Sequence, residues 1–182
     1  MSLEKARERL KKFDADNRII EFDVSSATVE LAAEAVGCEP ARIAKTLSFR
    51  TNDGVILIVA AGDTKIDNPK YKARFGCKAR MLAFEEVEPE IGHMVGGVCP
   101  FGVNANVTVY LDESLRRFET VFCRERGHFY KNQRIVQVRT RFLGSFSVVY
   151  IGIFRYTKSR NGLFARNRPI PYYKNVSNCH DH

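Results

Sequence analysis

One stretch constrains the fold of this chain more than any other: TLSFRTNDGVILIVAAG, Thr46 to Gly62. Two runs rich in β-branched and other apolar residues flank Asn52-Asp53-Gly54, and Asp-Gly readily takes the positive φ values of a tight hairpin turn. An antiparallel strand pair is therefore expected in the first half. The flanks read differently. Leu3, Ala6, Leu10 and Phe13 fall on one face of a helix that Ser2 can cap, and Ala27 to Val36 is a second helix closed by Gly37. Pro40 suits the first turn of a short helix, PARIA, and Asn68-Pro69 opens another, NPKYKARF, which Gly76 ends. Ile19–Phe22, Arg80–Ala83 and VTVYLD (Val107 to Asp112) read as strands, Phe84 to Ile91 as a short helix or turn, and ESLRRF as a helical piece. Strands and helices mix without a regular βαβ rhythm, so the expected class is α+β around a mixed sheet. There are no internal repeats, and GxGxxG and Walker-type phosphate loops are absent.

Charge divides the chain. Residues 1–122 carry 17 Lys and Arg against 19 Asp and Glu, a net of −2, whereas residues 123–182 carry 12 against 2, a net of +10. The overall +8 therefore belongs to the second segment. There SFSVVYIGIF can form a strand, but Gln133 to Arg141 and Thr157 to Tyr173 show no clear period. On composition the chain splits into a body, residues 1–122, and a basic, atypical segment, residues 123–182. Arginines interleaved with Phe and Tyr in IFRYTKSRNGLFARNR fit a single-strand RNA platform. No apolar run approaches the ~20 residues of a membrane span. The charged N-terminus MSLEKARERLKKF lacks a signal-peptide core, so a cytoplasmic protein with no membrane association is expected. Five scattered cysteines without a CxxC argue against a disulfide framework and a zinc site.

Few residues combine chemistry with a special setting. Lys45, in RIAKTLSF, is a cation among Ile43, Ala44, Leu47 and Phe49 at the start of the first hairpin strand. It either snorkels to water or anchors a phosphate or carbonyl oxygen. GHMVGGVCPFG, Gly92 to Gly102, packs four glycines, a proline and a thiol into an uncharged segment. Such a segment is either a plain connection or a turn whose N–H groups form an oxyanion-binding concavity. Cys99 with His93 could be a thiol and its base, but a lone cysteine is more often a small packed hydrophobe. Asp23, Ser25, Ser26 and Thr28 most simply cap the second helix, and their hydroxyls could also line a pocket. GDTKIDNPK reads as a turn and helix cap whose lysines could meet a phosphate backbone.

Three stretches in order, SSATVELAAEAVGCEPARIAKTLSF, VAAGDTKIDNPKYKARFG and GHMVGGVCPFG, resemble the YbaK/prolyl-tRNA synthetase-associated domain family of editing domains, which deacylate mischarged tRNA. The resemblance runs from about Glu21 to Phe122. It implies a compact, barrel-like mixed sheet with flanking helices. The family's signature lysine falls on Lys45, and its GxxxP loop on Gly96-Gly97-Val98-Cys99-Pro100. By that resemblance Lys45 orients the aminoacyl-tRNA end, and the backbone of Gly96 and Gly97 holds the ester carbonyl. Val98, Cys99, Pro100, Phe101, Ser25, Ser26 and His93 would then contact the substrate. Neither metal nor other cofactor is called for, because an activated ester needs only polarisation and a placed water. A synthetase pocket rejects a slightly smaller amino acid by only about 1–3 kcal/mol, which makes a second hydrolytic site useful.

After FETVF the family's Pro/Ala-Ala-Gly turn and closing Glu-Leu segment are replaced by CRERGHFYKNQRIVQVRTRF. With one plausible codon choice, TGC CGG GAA AGA GGG for Cys123 to Gly127, reading one base later gives Ala-Gly-Lys-Glu-Gly, so a displaced reading frame is expected here. The functional expectation is an aminoacyl-tRNA deacylase acting in trans on the 3′ end of mischarged tRNA, with a synthetase as a further partner. The alternative is a catalytically inactive tRNA- or synthetase-binding module of the same fold.

Overall fold

The computed structural model describes residues 2–12, 15–22, 28–126, 133–140 and 149–156. The chain opens with α1 (Ser2–Lys11), β1 (Ile19–Phe22) and α2 (Val29–Val36). Thr28 caps α2, its Oγ1 accepting from the Leu31 N–H at 3.2 Å, and Gly37 ends the helix at φ 65°. Pro40–Arg42 forms a 3₁₀ turn where a short helix was expected, because β2 (Ile43–Thr51) begins at the next residue. β2 and β3 (Gly54–Ala61) form the hairpin, with Thr51 opposite Gly54 across a two-residue loop. β4 (Thr64–Ile66), α3 (Asn68–Phe75), β5 (Arg80–Met81), α4 (Phe84–Ile91) and β6 (Thr108–Asp112) follow. A 3₁₀ turn at Glu113–Arg117 leads to β7 (Thr120–Arg126), β8 (Gln133–Arg139), β9 (Val149–Ile151) and β10 (Phe154–Tyr156).

The class is α+β, as expected. The main sheet runs β1-β8-β7-β2-β3-β6-β9, with β5 also paired to β2, while β4 and β10 form a separate pair. It is mixed: β2–β7, β3–β6 and β6–β9 are parallel and the other pairs antiparallel. Side chains from one face of β2, β3, β6, β7 and β8, among them Ala44, Val59, Leu111, Val121 and Val136, meet in one buried cluster with Ala6 and Leu10 of α1. On the other face Phe49, Ile58 and Ala60 pack against Tyr71 of α3, and Ile43 and Phe122 against Ala32 and Ala33 of α2.

β8 occupies a stretch with no clear sequence period. Its Ile135 and Val136 are both fully buried, Ile135 under α2 and Val136 in the central cluster. Burial on two faces removes the alternation that marks a strand. The compositional boundary between Phe122 and Cys123 falls inside β7.

Candidate active site

β7 lies beside β2 only at Ile43 and Ala44, and β5 joins β2 only at Phe49 and Arg50. Between them, residues 45–48 have no strand partner on that edge among the described residues; the Ser48 carbonyl accepts from the Leu82 N–H at 3.2 Å. A cavity of about 320 Å³ opens at this gap. Its walls are Lys45, Thr46, Leu47 and Ser48 of β2, Leu82, Phe84 and Val87 around α4, Val95, Gly96 and Val98 of the glycine segment, and Val29 and Arg124. The lining is mainly apolar, as ligand sites usually are, with few polar groups to orient what enters.

The glycine segment is ordered by its own backbone. Gly92 ends α4 at φ 86°, its N–H donating to Glu88 O at 2.8 Å. At this φ a side chain is strained whatever the space around it, and a Cβ on Gly92 would stand 2.7 Å from Asn104 Oδ1. Asn104 returns the favour of proximity: its Nδ2 donates to Pro89 O at 3.1 Å and Glu90 O at 3.0 Å, and its N–H to Ile91 O at 3.0 Å. These bonds satisfy carbonyls at the helix end that have no partner within the helix. Met94 to Gly97 then close a β-turn, the Gly97 N–H donating to Met94 O at 3.1 Å. Gly96 sits at the third position with φ 84°, where a type II turn takes glycine. The turn thus presents Gly96 and Val98 to the cavity.

Lys45 is the third residue of β2, opposite Ala60. Its Nζ donates to Gly62 O at 3.2 Å and to Thr64 O, and stands 5.9 Å from the centre of the Phe154 ring. Burial pushes its pKa below the usual lysine value; Asp63 and Asp112 oppose that, and Lys65 adds to it. The carbonyls that hold the ammonium come from the β3–β4 turn, which is pinned in turn by Gly62. Its N–H donates to Ala41 O at 3.2 Å, and a Cβ there would stand 2.2 Å from Pro40 O. Lys45 therefore lines the cavity with its ammonium drawn toward this turn.

Comparison with known proteins gives the site its context. The profile of the aminoacyl-tRNA editing domain matches residues 24–130. This chain belongs to that family. YwhH of Bacillus subtilis, a protein without an assigned function, is 56% identical over 123 residues, 67% of this chain and 78% of YwhH. EbsC of Enterococcus faecalis, provisionally named a Cys-tRNA(Pro)/Cys-tRNA(Cys) deacylase, is 30% identical over 96 residues, 52% of this chain and 58% of EbsC. A proline–tRNA ligase of Shouchella clausii is 33% identical over 108 residues, 58% of this chain but only 19% of the ligase. Among solved structures, a protein provisionally described as a trans-editing enzyme for prolyl-tRNA synthetase superposes with a TM-score of 0.72 at 26% identity, over 85% of this chain and 97% of that one.

Within this editing domain the residues singled out from sequence do not all share one place. Lys45, Gly96 and Val98 line the cavity. Gly97 closes the turn beside it. Cys99 and Phe101 are buried in the central cluster, the Cys99 thiol donating to Phe101 O at 3.5 Å, and His93 is fully buried. Pro100 lies between Cys99 and Phe101 and is half-buried. Ser25 and Ser26 lie outside the described residues. Sequence reasoning missed Thr46, Ser48 and Arg124. Arg124 had no local signal: it comes to the cavity through the pairing of β7 with β2 at Ile43 and Ala44, which joins residues far apart in the sequence. Among the described residues no three His, Cys, Asp or Glu side chains group as a metal site would need, and no helix is long and apolar enough to cross a membrane.

Proposed function

We propose that the chain is an aminoacyl-tRNA deacylase that hydrolyses the ester of mischarged tRNA in trans. The observation that carries this reading is the convergence of Lys45 and the Gly96 turn on one cavity in a chain of the editing-domain family. The name given to EbsC and the description of the trans-editing structure support the same reaction and substrate.

An aminoacyl ester is already activated, so catalysis reduces to holding it, polarising its carbonyl and placing a water. The backbone N–H groups at Gly96 and Val98 are the donors suited to the carbonyl oxygen, because the Gly97 N–H already closes the turn. An ammonium has three donors; two of those on Lys45 meet Gly62 and Thr64, which leaves one for an oxygen at the tRNA end. Cys99 acts on pocket shape through the core rather than as a nucleophile, because its thiol is buried among apolar side chains.

The test incubates the purified chain with Cys-, Ala- and Ser-charged tRNAs and follows release of the amino acid, comparing wild type with Lys45→Ala. Wild type is expected to deacylate at least one of the three and Lys45→Ala to lose that activity. Equal rates would refute the role of Lys45. No deacylation alongside retained tRNA binding would make the chain a binding module of the same fold.

A further inference from the structure

α4 carries apolar residues at 84, 87 and 91, spaced for one helix face. Val87 and Ile91 are 5% and 0% exposed, yet Phe84 is 73% exposed. The core layer ends one turn short of Phe84, which lines the cavity mouth together with the exposed side chains of Met81 and Val95. Among the described residues the large exposed hydrophobics are Leu31, Met81, Phe84 and Val95, so three of the four gather at this cavity. Single exposed apolar residues need no explanation, but a cluster at a cavity entrance marks a binding surface.

The position of Phe84 is also fixed from below. The Ala83 N–H before it donates to Glu86 Oε2 at 2.8 Å, and Arg50 Nη2 reaches Glu86 and Glu90, each at 2.9 Å. These bonds tie the start of α4 to β2, the strand that forms one wall of the cavity. With its backbone held in this way, Phe84 has only its side-chain rotation left to lose when a ligand covers it.

We propose that Phe84, flanked by Met81 and Val95, stacks on the terminal nucleobase of the tRNA. This rests on the deacylase reading: ester and terminal base are carried by one ribose, so a ribose that brings its ester to Gly96 presents its base at the same mouth. A base is a flat, uncharged ring, and its stacking on an aromatic side chain needs no cation. The local charge agrees. α4 contains four glutamates and no lysine or arginine, with Glu86 and Glu90 paired to Arg50, so the α4 side of the mouth suits a base rather than a phosphate; Arg80, next to Met81, and Arg124, on the cavity wall, are cations nearby.

The chain has no tryptophan, so Phe84→Trp installs a single fluorescent reporter. Its emission is expected to be quenched by uncharged tRNA and by a short RNA ending in CCA, and not by the same RNA lacking its last base. In deacylation, Phe84→Ala is expected to raise KM by roughly 5- to 150-fold with kcat unchanged, with Phe84→Tyr restoring it and Phe84→Leu not. Quenching that survives loss of the last base, or no quenching by the intact RNA, overturns the proposal, as does an unchanged KM in Phe84→Ala. A protein segment as the true occupant would give that second pattern. The two readings fail separately: a wild type that deacylates nothing, with Phe84→Trp quenched only by intact RNA, loses the hydrolase and keeps the stacking surface.

Discussion

Lys45 carries a charge that its surroundings hold only in part. Two carbonyls and two nearby carboxylates favour the ammonium, yet burial outweighs them and lowers the pKa below 10.5. The sign of the consequence follows from linkage. Below the folded pKa both states are charged and the burial cost is present in full; between the folded pKa and 10.5 the unfolded chain holds the proton more tightly, so stability rises with pH. Denaturant unfolding from neutral pH to 10.5 should show wild type gaining on Lys45→Met across that window, and a constant difference between the two would remove this account. The same residue should make tRNA binding weaken as pH climbs through the folded pKa, because the ammonium is then lost. The cysteines give a second prediction at this scale. Burial raises the Cys123 thiol to about 12 and Cys99 is equally enclosed, so brief alkylation of the folded chain should modify Cys38 and Cys77 and spare Cys99 and Cys123. Labelling of Cys99 at the rate of an exposed thiol would reopen its reading as a nucleophile.

At the scale of elements, what the sequence disclosed were signals confined to a few neighbouring residues. Gly37, Gly76 and Gly92 each end a helix with positive φ, and the hairpin expected at Asn52-Asp53-Gly54 forms there, with Asn52 and Asp53 as its loop and Gly54 already paired to Thr51. Gly62 shows what remained hidden. Nothing in GDTKIDNPK says that its glycine presses against the Pro40 carbonyl, 22 residues earlier in the chain. Gly62→Ala should therefore cost about 1–3 kcal/mol in unfolding, since backbone has to move. It should also slow deacylation, because the Gly62 carbonyl that must shift is one of those holding Lys45. A paired comparison isolates the turn that faces the cavity. Gly96→Ala and Gly37→Ala both place a Cβ on left-handed backbone, at φ 84° and 65°, and each should lose about 1–2 kcal/mol. Deacylation should fall only for Gly96→Ala; equal loss in both would mean that Gly96 acts through stability alone.

For the whole molecule, composition and structure divide the chain differently. The charge jump at residue 123 was plain in the sequence, and the family profile ends at residue 130. The reading of a displaced frame predicts that DNA sequencing across codons 118–140 shows the interruption; an uninterrupted frame shared by close relatives would sink it. The place of the segment in the sheet was not legible, because it depends on pairing across the chain. β8 is hydrogen-bonded on both sides, to β1 and to β7, and buries Ile135, Val136 and Val138. A second attachment lies at Asp112, 2% exposed, whose carboxylate accepts from the N–H groups of Ser114 at 2.9 Å, Ile153 at 3.0 Å and Phe154 at 3.2 Å. Asp112→Ala strands these buried donors and should cost about 1–3 kcal/mol or more, with Asp112→Asn, which keeps an acceptor oxygen, costing less. A chain cut after Phe122 tests the larger claim. If residues 123–182 are an appendage, as their composition implies, the cut chain unfolds cooperatively at the same denaturant midpoint. If β8 joins β1 to the rest, the cut chain loses both the cover over Phe122 and the strand that holds β1. It should then show no cooperative transition and should aggregate through its open edges.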